Sequence, residues 1–160
     1  MDAALFYLGI RDRSVGEMRD YLQKKQYEPE EIGSVLARLE ELRLLDDGVF
    51  ARNLLRLKTS MKPLSRKEMK SVLIRHKIGK QTAEEVLAEF DGEMELAAAR
   101  KLAEEVKRKV SKYPREEQWK RAAAKMAAKG FPYGVIREAL RDMTAENAED
   151  MDDPEQEYME

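Results

Sequence analysis

The amino-acid sequence predicts an all-α fold, an elongated, curved array of three tandem three-helix repeats. Three observations carry the prediction. A helix-start signature occurs twice: Ser14 and Ser65 each stand three residues ahead of a glutamate, Glu17 and Glu68, and each opens an amphipathic run. The chain is also similar to itself. A shift of 51 residues pairs Ser14 with Ser65, Met18 with Met69, Leu22 with Leu73, Tyr27 with Ile78 and Leu36 with Leu87. A further shift of 53 brings Met126 onto Leu73, Phe131 onto Ile78 and Leu140 onto Leu87, with Arg121 where the glutamate of the signature would stand. Finally, charged residues make up 39% of the chain. An extended array, with more surface per residue, accommodates that load better than a compact globule.

Nine helices are expected, over roughly 2–10, 14–26, 29–43, 48–59, 65–77, 80–90, 92–112, 115–129 and 132–143. Pro29 suits a first helical turn, and Ile32, Val35, Leu36, Leu39 and Leu42 keep one apolar face behind it. The stretch LLDDGVFARNLLRLK, residues 44–58, admits two readings, a hairpin turn or a capped helix start. Phe50, Leu54 and Leu57 recur at i, i+4 and i+7, and Asn53-Leu54-Leu55-Arg56 breaks strand alternation, so the helix is the better reading, with Asp46 or Asp47 as its cap. Asp91-Gly92 repeats the junction ahead of a stripe through Ala99, Leu102, Ala103, Val106 and Val110. Tyr113-Pro114 reads as a helix end. The repeats are expected at 1–45, 46–90 and 91–143, followed by an acidic tail, 144–160, expected to be disordered.

Composition excludes several functions. There are no cysteines and one histidine, His76, so thiolate and zinc centres have no ligand set, and no spacing fits a calcium loop. No phosphate loop, nucleophile elbow or HExxH is present, so no enzyme and no cofactor is expected. No apolar run is long enough to span a membrane and the start lacks a basic leader, which points to a cytoplasmic protein.

The net charge of −2 conceals strong segregation. Residues 144–160 carry eight acids and no base, which leaves 30 basic against 24 acidic groups in the body. Residues 52–80 hold ten cations and one acid, Glu68; residues 81–99 hold six acids and no base. From the first block come the candidate contacts Arg52, Arg56, Lys58, Lys62, Arg66, Lys67, Lys70, Arg75 and Lys77. A second block, residues 100–129, interleaves eleven cations with four glutamates and adds Lys107, Lys109 and Lys112 as candidates, its last lysines being Lys125 and Lys129. The ordinary meaning of such blocks is a solvated helix face. Ten cations offset by one carboxylate favour an anionic partner, met through phosphates rather than base edges. Trp119 offers a stacking surface, but Ala122, Ala123 and Met126 continue an apolar stripe from it and place it in the core. Tyr7, Tyr21, Tyr27, Phe50, Phe90 and Phe131 are expected there too, and His76 on the surface of the basic block.

The junction Leu45-Asp46-Asp47-x-x-Phe50-Ala51, the late Gly130-Phe131-x-Tyr133-x-x-Ile136, the opening Ala4-Leu5-x-Tyr7-Leu8 and Ser14-x-x-Glu17 with Leu22 together resemble the RecX family over residues 2–143. The middle repeat departs from the pattern, with Lys77 where a glycine is expected before the apolar turn residue. The resemblance implies a regulator of the bacterial recombinase RecA that lies in the groove of the RecA–DNA filament and inhibits ATP hydrolysis and strand exchange. Such a protein belongs to DNA repair, recombination and the SOS response. The implied partners are the RecA filament and single- or double-stranded DNA, met as a monomer. The alternatives are a helical-repeat adaptor that binds only protein and a helix-turn-helix DNA-binding regulator.

Overall fold

The computed structural model describes residues 1–143, so the acidic tail lies outside the described residues. Within them the chain is helical and contains no strand: α1 Asp2–Ile10, α2 Val15–Lys24, α3 Pro29–Glu41, α4 Asp47–Met61, α5 Arg66–Arg75, α6 Lys80–Ala88, α7 Gly92–Val110, α8 Arg115–Ala128 and α9 Tyr133–Ala139. The nine described helices fall into three tandem trios, α1–α3, α4–α6 and α7–α9.

Local chemistry sets most boundaries. Ser14 accepts from the Glu17 amide at 3.0 Å while Glu17 accepts from the Ser14 amide at 3.3 Å, and Ser65 with Glu68 does the same at 3.1 and 3.2 Å. Asp46, not Asp47, caps α4, accepting from the Val49 amide at 3.1 Å; Asp91 caps α7 through the Met94 amide at 2.9 Å. The second helices end earlier than periodicity suggests. Gln26, Lys77 and Gly130, three repeat-equivalent residues, all adopt positive φ, 64°, 60° and 88°. The next amide in each case, of Tyr27, Ile78 or Phe131, reaches back five residues to the carbonyl of Leu22, Leu73 or Met126. One closure therefore turns the second helix into the third in every repeat.

The chain forms two compact units. Among the described residues, unit 1 comprises residues 1–60 and 69–89, and unit 2 comprises residues 61–68 and 90–143. Ala4, Met18, Leu22, Ile32, Leu36, Leu39 and Leu45 form one core cluster in unit 1. Unit 2 is built around Ala99, Ala103, Val110, Trp119, Ala122, Met126, Phe131 and Leu140, each at most 4% exposed. Trp119 and Phe131 are core residues as expected. Tyr27 is not: it is 41% exposed, whereas its equivalents Ile78 and Phe131 are buried. The physical reason is that helix starts seat on the turns before Ile78 and Phe131, and none seats on the turn before Tyr27 among the described residues.

Those seats are two joints of the same design. In unit 1 the buried Ser14 hydroxyl donates to the His76 carbonyl at 2.5 Å, and the Val15 amide, first in α2, donates to Asp47 Oδ1 at 2.8 Å. In unit 2 the buried Ser65 hydroxyl donates to the Lys129 carbonyl at 2.7 Å, and the Arg66 amide, first in α5, donates to the buried Glu95 at 3.0 Å. Each joint satisfies two helix-end groups that water would otherwise have to serve. His76 is thus half-buried in the first joint rather than a surface residue, its Nδ1 lying 2.9 Å from Glu17 Oε1 and its ring tilted against Phe50.

Candidate nucleic-acid interface

The twelve sequence-predicted cations divide by what they touch. Arg52 is held by Glu89 across 2.8 Å, and the same hydrogen bonds hold the Glu89 carboxyl below its ordinary range. Arg66 is taken into the fold, its guanidinium donating to the Phe90 carbonyl while its amide meets Glu95. Lys77 pairs with Asp20, and Lys109 with Glu105 at 2.6 Å. Lys107 pairs with Asp142 at 2.6 Å; burial works against its charge, but that carboxylate outweighs it and raises its pKa. Lys112 lies 5.3 Å from the ring of its neighbour Tyr113, and the Lys67 stem lies against Gly130.

Arg56, Lys58, Lys62, Lys70 and Arg75 have no carboxylate partner among the described residues. Lys58 is half-buried and the other four are exposed. In unit 1, Arg56 and Lys58 project from α4, and Lys70 and Arg75 from α5. Their positions follow from the apolar faces: α4 buries Ala51 and Leu55, α5 buries Met69, Val72 and Leu73, and the cations take the remaining arcs.

Unit 2 brings cations together in a cleft of about 430 Å³, walled by α7 and α8 and by the segment before α5. Lys62, Lys109, Lys125 and Lys129 line it beside Glu68 and Glu105, over an apolar floor that includes Leu102 and Val106. Glu68 serves the Ser65 cap and Glu105 pairs with Lys109, which leaves the ammonium groups of Lys62, Lys125 and Lys129 without a paired carboxylate among the described residues. The Glu105 carboxyl is held below its ordinary value by the Lys109 hydrogen bond first, with Lys129 contributing. Lys125 and Lys129 were indistinguishable by composition from their paired neighbours; only the packing of α8 on α7 selects them. A second, more open cleft of about 670 Å³ is lined by Arg100, Lys101, Lys107 and Arg141 with Glu104, Glu138 and Asp142, so its charges nearly balance.

Trp119 is 3% exposed and has no free face for a base. Tyr7 is covered as well, with Arg13 3.7 Å above one face and Tyr21 stacked at 3.9 Å on the other. Neither of these two rings is free to stack on a base. No helix among the described residues is long and apolar enough to cross a membrane.

Known proteins match this arrangement. A family model described as the first three-helix domain of RecX matches residues 1–39, and one for the third three-helix domain matches residues 93–140. The regulatory protein RecX of Prosthecochloris aestuarii is 34% identical over 144 residues, covering 89% of this chain and 92% of that protein. The regulatory protein RecX of Halalkalibacterium halodurans is 35% identical over 150 residues, 92% of this chain but 55% of that longer protein. The crystal structure of RecX from Lactobacillus salivarius superposes with a TM-score of 0.81 at 22% identity, over 89% of this chain and 92% of that one. Tandem three-helix repeats, the matched first and third domains and the near full-length identity to the first of these relatives agree: the chain belongs to the RecX family.

Proposed function

We propose that this protein regulates the bacterial recombinase RecA, in the bacterial cytoplasm, by binding in the groove of the RecA–DNA filament and inhibiting ATP hydrolysis and strand exchange, with direct affinity for DNA phosphates. The regulatory half of this reading is supported by family membership. The nucleic-acid half is supported by one observation: cations that no carboxylate among the described residues pairs, on α4 and α5 and around the unit 2 cleft. A fold that needed those charges only for its own stability would pair them, as it pairs Arg52, Lys77, Lys107 and Lys109. The action on RecA would be mechanical rather than chemical. A tandem array that touches more than one RecA protomer resists the relative movement that accompanies ATP turnover and strand pairing.

The test is RecA-catalysed ATP hydrolysis on single-stranded DNA, titrated with this protein. The rate should fall in a saturable way; a rate that rises reverses the sign of the regulation, and an unchanged rate removes RecA as the target. Binding to a bare single-stranded oligonucleotide checks the direct DNA affinity. With about six phosphates neutralised, log K falls against log salt with a slope near −4. Replacing Arg56, Lys70 and Arg75 with alanine should flatten the slope by about 2. No binding to bare strands would leave an adaptor whose cations meet an acidic protein.

A further inference from the structure

We propose that the acidic carboxyl-terminal segment, residues 144–160, occupies the lysine cleft of unit 2 in cis and competes there with nucleic-acid phosphates; the competing ligand rests on the function proposed above. The cleft has three ammonium groups, those of Lys62, Lys125 and Lys129, that pair with no carboxylate among the described residues, around an opening of about 430 Å³. The segment carries eight carboxylates and no cation. It leaves the described chain just beyond α9, which packs on both α7 and α8, the two helices that wall the cleft. Seventeen residues span up to about 56 Å when extended.

The chain around α9 already lays acids on α7. Glu138 lies 3.7 Å from Arg100, and Asp142, beyond the helix end, lies 2.6 Å from Lys107. That second cleft is nearly balanced by its own glutamates and aspartate and has little demand for more. The two glutamates of the lysine cleft are already engaged, Glu68 by the Ser65 cap and Glu105 by Lys109, so further carboxylates would find cations there that no described carboxylate pairs. Tethering raises the local carboxylate concentration to the millimolar range, enough to compete with a strand held by the same lysines. The protein thus carries its own polyanion, and DNA gains access as the tail is displaced by salt or by a basic partner surface.

The experiment compares the full chain with a variant of equal length in which every tail glutamate is glutamine and every tail aspartate asparagine. Two readouts are taken. The first is the rate of amine modification at Lys62, Lys125 and Lys129, with Lys120 on α8 as internal standard. The second is anisotropy of a labelled single-stranded oligonucleotide across a salt series. Expected are slower modification of the three lysines in the native chain, restored in the amide variant, and roughly tenfold tighter oligonucleotide binding by the variant at low salt, a gap that closes as salt rises. Equal modification in both chains overturns the proposal whatever the oligonucleotide does. Protection that grows with protein concentration overturns it in favour of a second copy's tail. Tail-dependent protection with no oligonucleotide binding by either chain upholds the occupancy and instead removes DNA as the competing ligand.

Discussion

At the joint in unit 1 the helix start supplies a glycine, Gly16, and the turn supplies a residue with a side chain, Lys77. At the joint in unit 2 the helix start supplies Lys67 and the turn supplies Gly130. Both joints keep the serine hydroxyl to carbonyl bond and the first-amide to carboxylate bond. The two backbones therefore approach closely enough to leave room for one Cβ, and either partner can give it up. The choice has a cost. Lys77 takes a left-handed φ of 60° that Gly130 takes freely, about 1 kcal/mol against it, and its ion pair with Asp20 offsets part of this. The glycine missing from the middle repeat is thus compensated 61 positions earlier, at Gly16.

Breaking the contact itself should have the largest effect. A Cβ at Gly16 would lie 2.6 Å from Lys77 Cβ and 2.7 Å from the Lys77 carbonyl oxygen, so Gly16→Ala should lose about 3 kcal/mol in urea denaturation followed by circular dichroism. Lys77→Gly should restore little, because the carbonyl stays. A Cβ at Gly130 would lie 2.9 Å from Lys67 Cβ, so Gly130→Ala should cost about 2 kcal/mol, read by Trp119 fluorescence, and Lys67→Gly should recover about half. Full rescue of Gly16→Ala by Lys77→Gly would contradict the shared geometry. Next come the serines. Ser14→Ala and Ser65→Ala each remove a helix cap and a buried hydroxyl bond, and each should cost about 1–2 kcal/mol. A cost confined to one of them would mean the joints are not equivalent.

A smaller effect separates the joints by pH. The joint in unit 1 carries an ionic layer, in which Glu17 meets His76 and Arg11. Burial pushes the Glu17 carboxyl up, but hydrogen bonds from Arg11, His76 and the Ser14 amide outweigh it and leave its pKa below the ordinary value. A depressed carboxyl contributes stability above the ordinary glutamate range and loses it as pH falls through the folded value. Asp47 works in the opposite sense, since burial raises its pKa despite the Val15 amide and acidification favours it in the folded state. Glu17→Gln should therefore flatten the acid limb of the stability curve by less than about 1 kcal/mol, measured by denaturation from neutral pH into the acid range. A steeper limb in the variant would reverse the assignment. Smallest of all, Arg52→Ala breaks an exposed pair and should leave the urea midpoint nearly unchanged.

The helices were legible because their signals are local. The Ser14 and Ser65 caps, the Asp91 cap and the apolar stripe of α7 are each written within a few residues. The tandem repetition was legible because the same closing turn recurs, although its closing residue changes from Gln26 to Lys77 to Gly130. What stayed hidden spans long separations. Periodicity shows which face of a helix is buried but not what covers it, so nothing near Ser14 announces His76, and nothing near Ser65 announces Lys129. For the same reason Arg66 looked like a phosphate contact. Its charge is visible in the sequence, while the Phe90 carbonyl and Glu95 that engage it lie 24 and 29 positions away. Lys125 and Lys129 were missed in the converse way, as members of a mixed block in which Glu104, Glu105 and Glu117 pair with other cations. Of the twelve expected contacts, Arg56, Lys58, Lys62, Lys70, Arg75 and Lys112 have no carboxylate partner among the described residues, as the proposed role requires.

The first-turn amides of α2 and α5 have one more consequence. Proline ordinarily suits the opening position of a helix, where its absent N–H is missed by nothing. At Val15 and Arg66 that hydrogen is already given to a carboxylate, so the substitution that a designer would choose to rigidify these helix starts would instead unfasten one trio from the next.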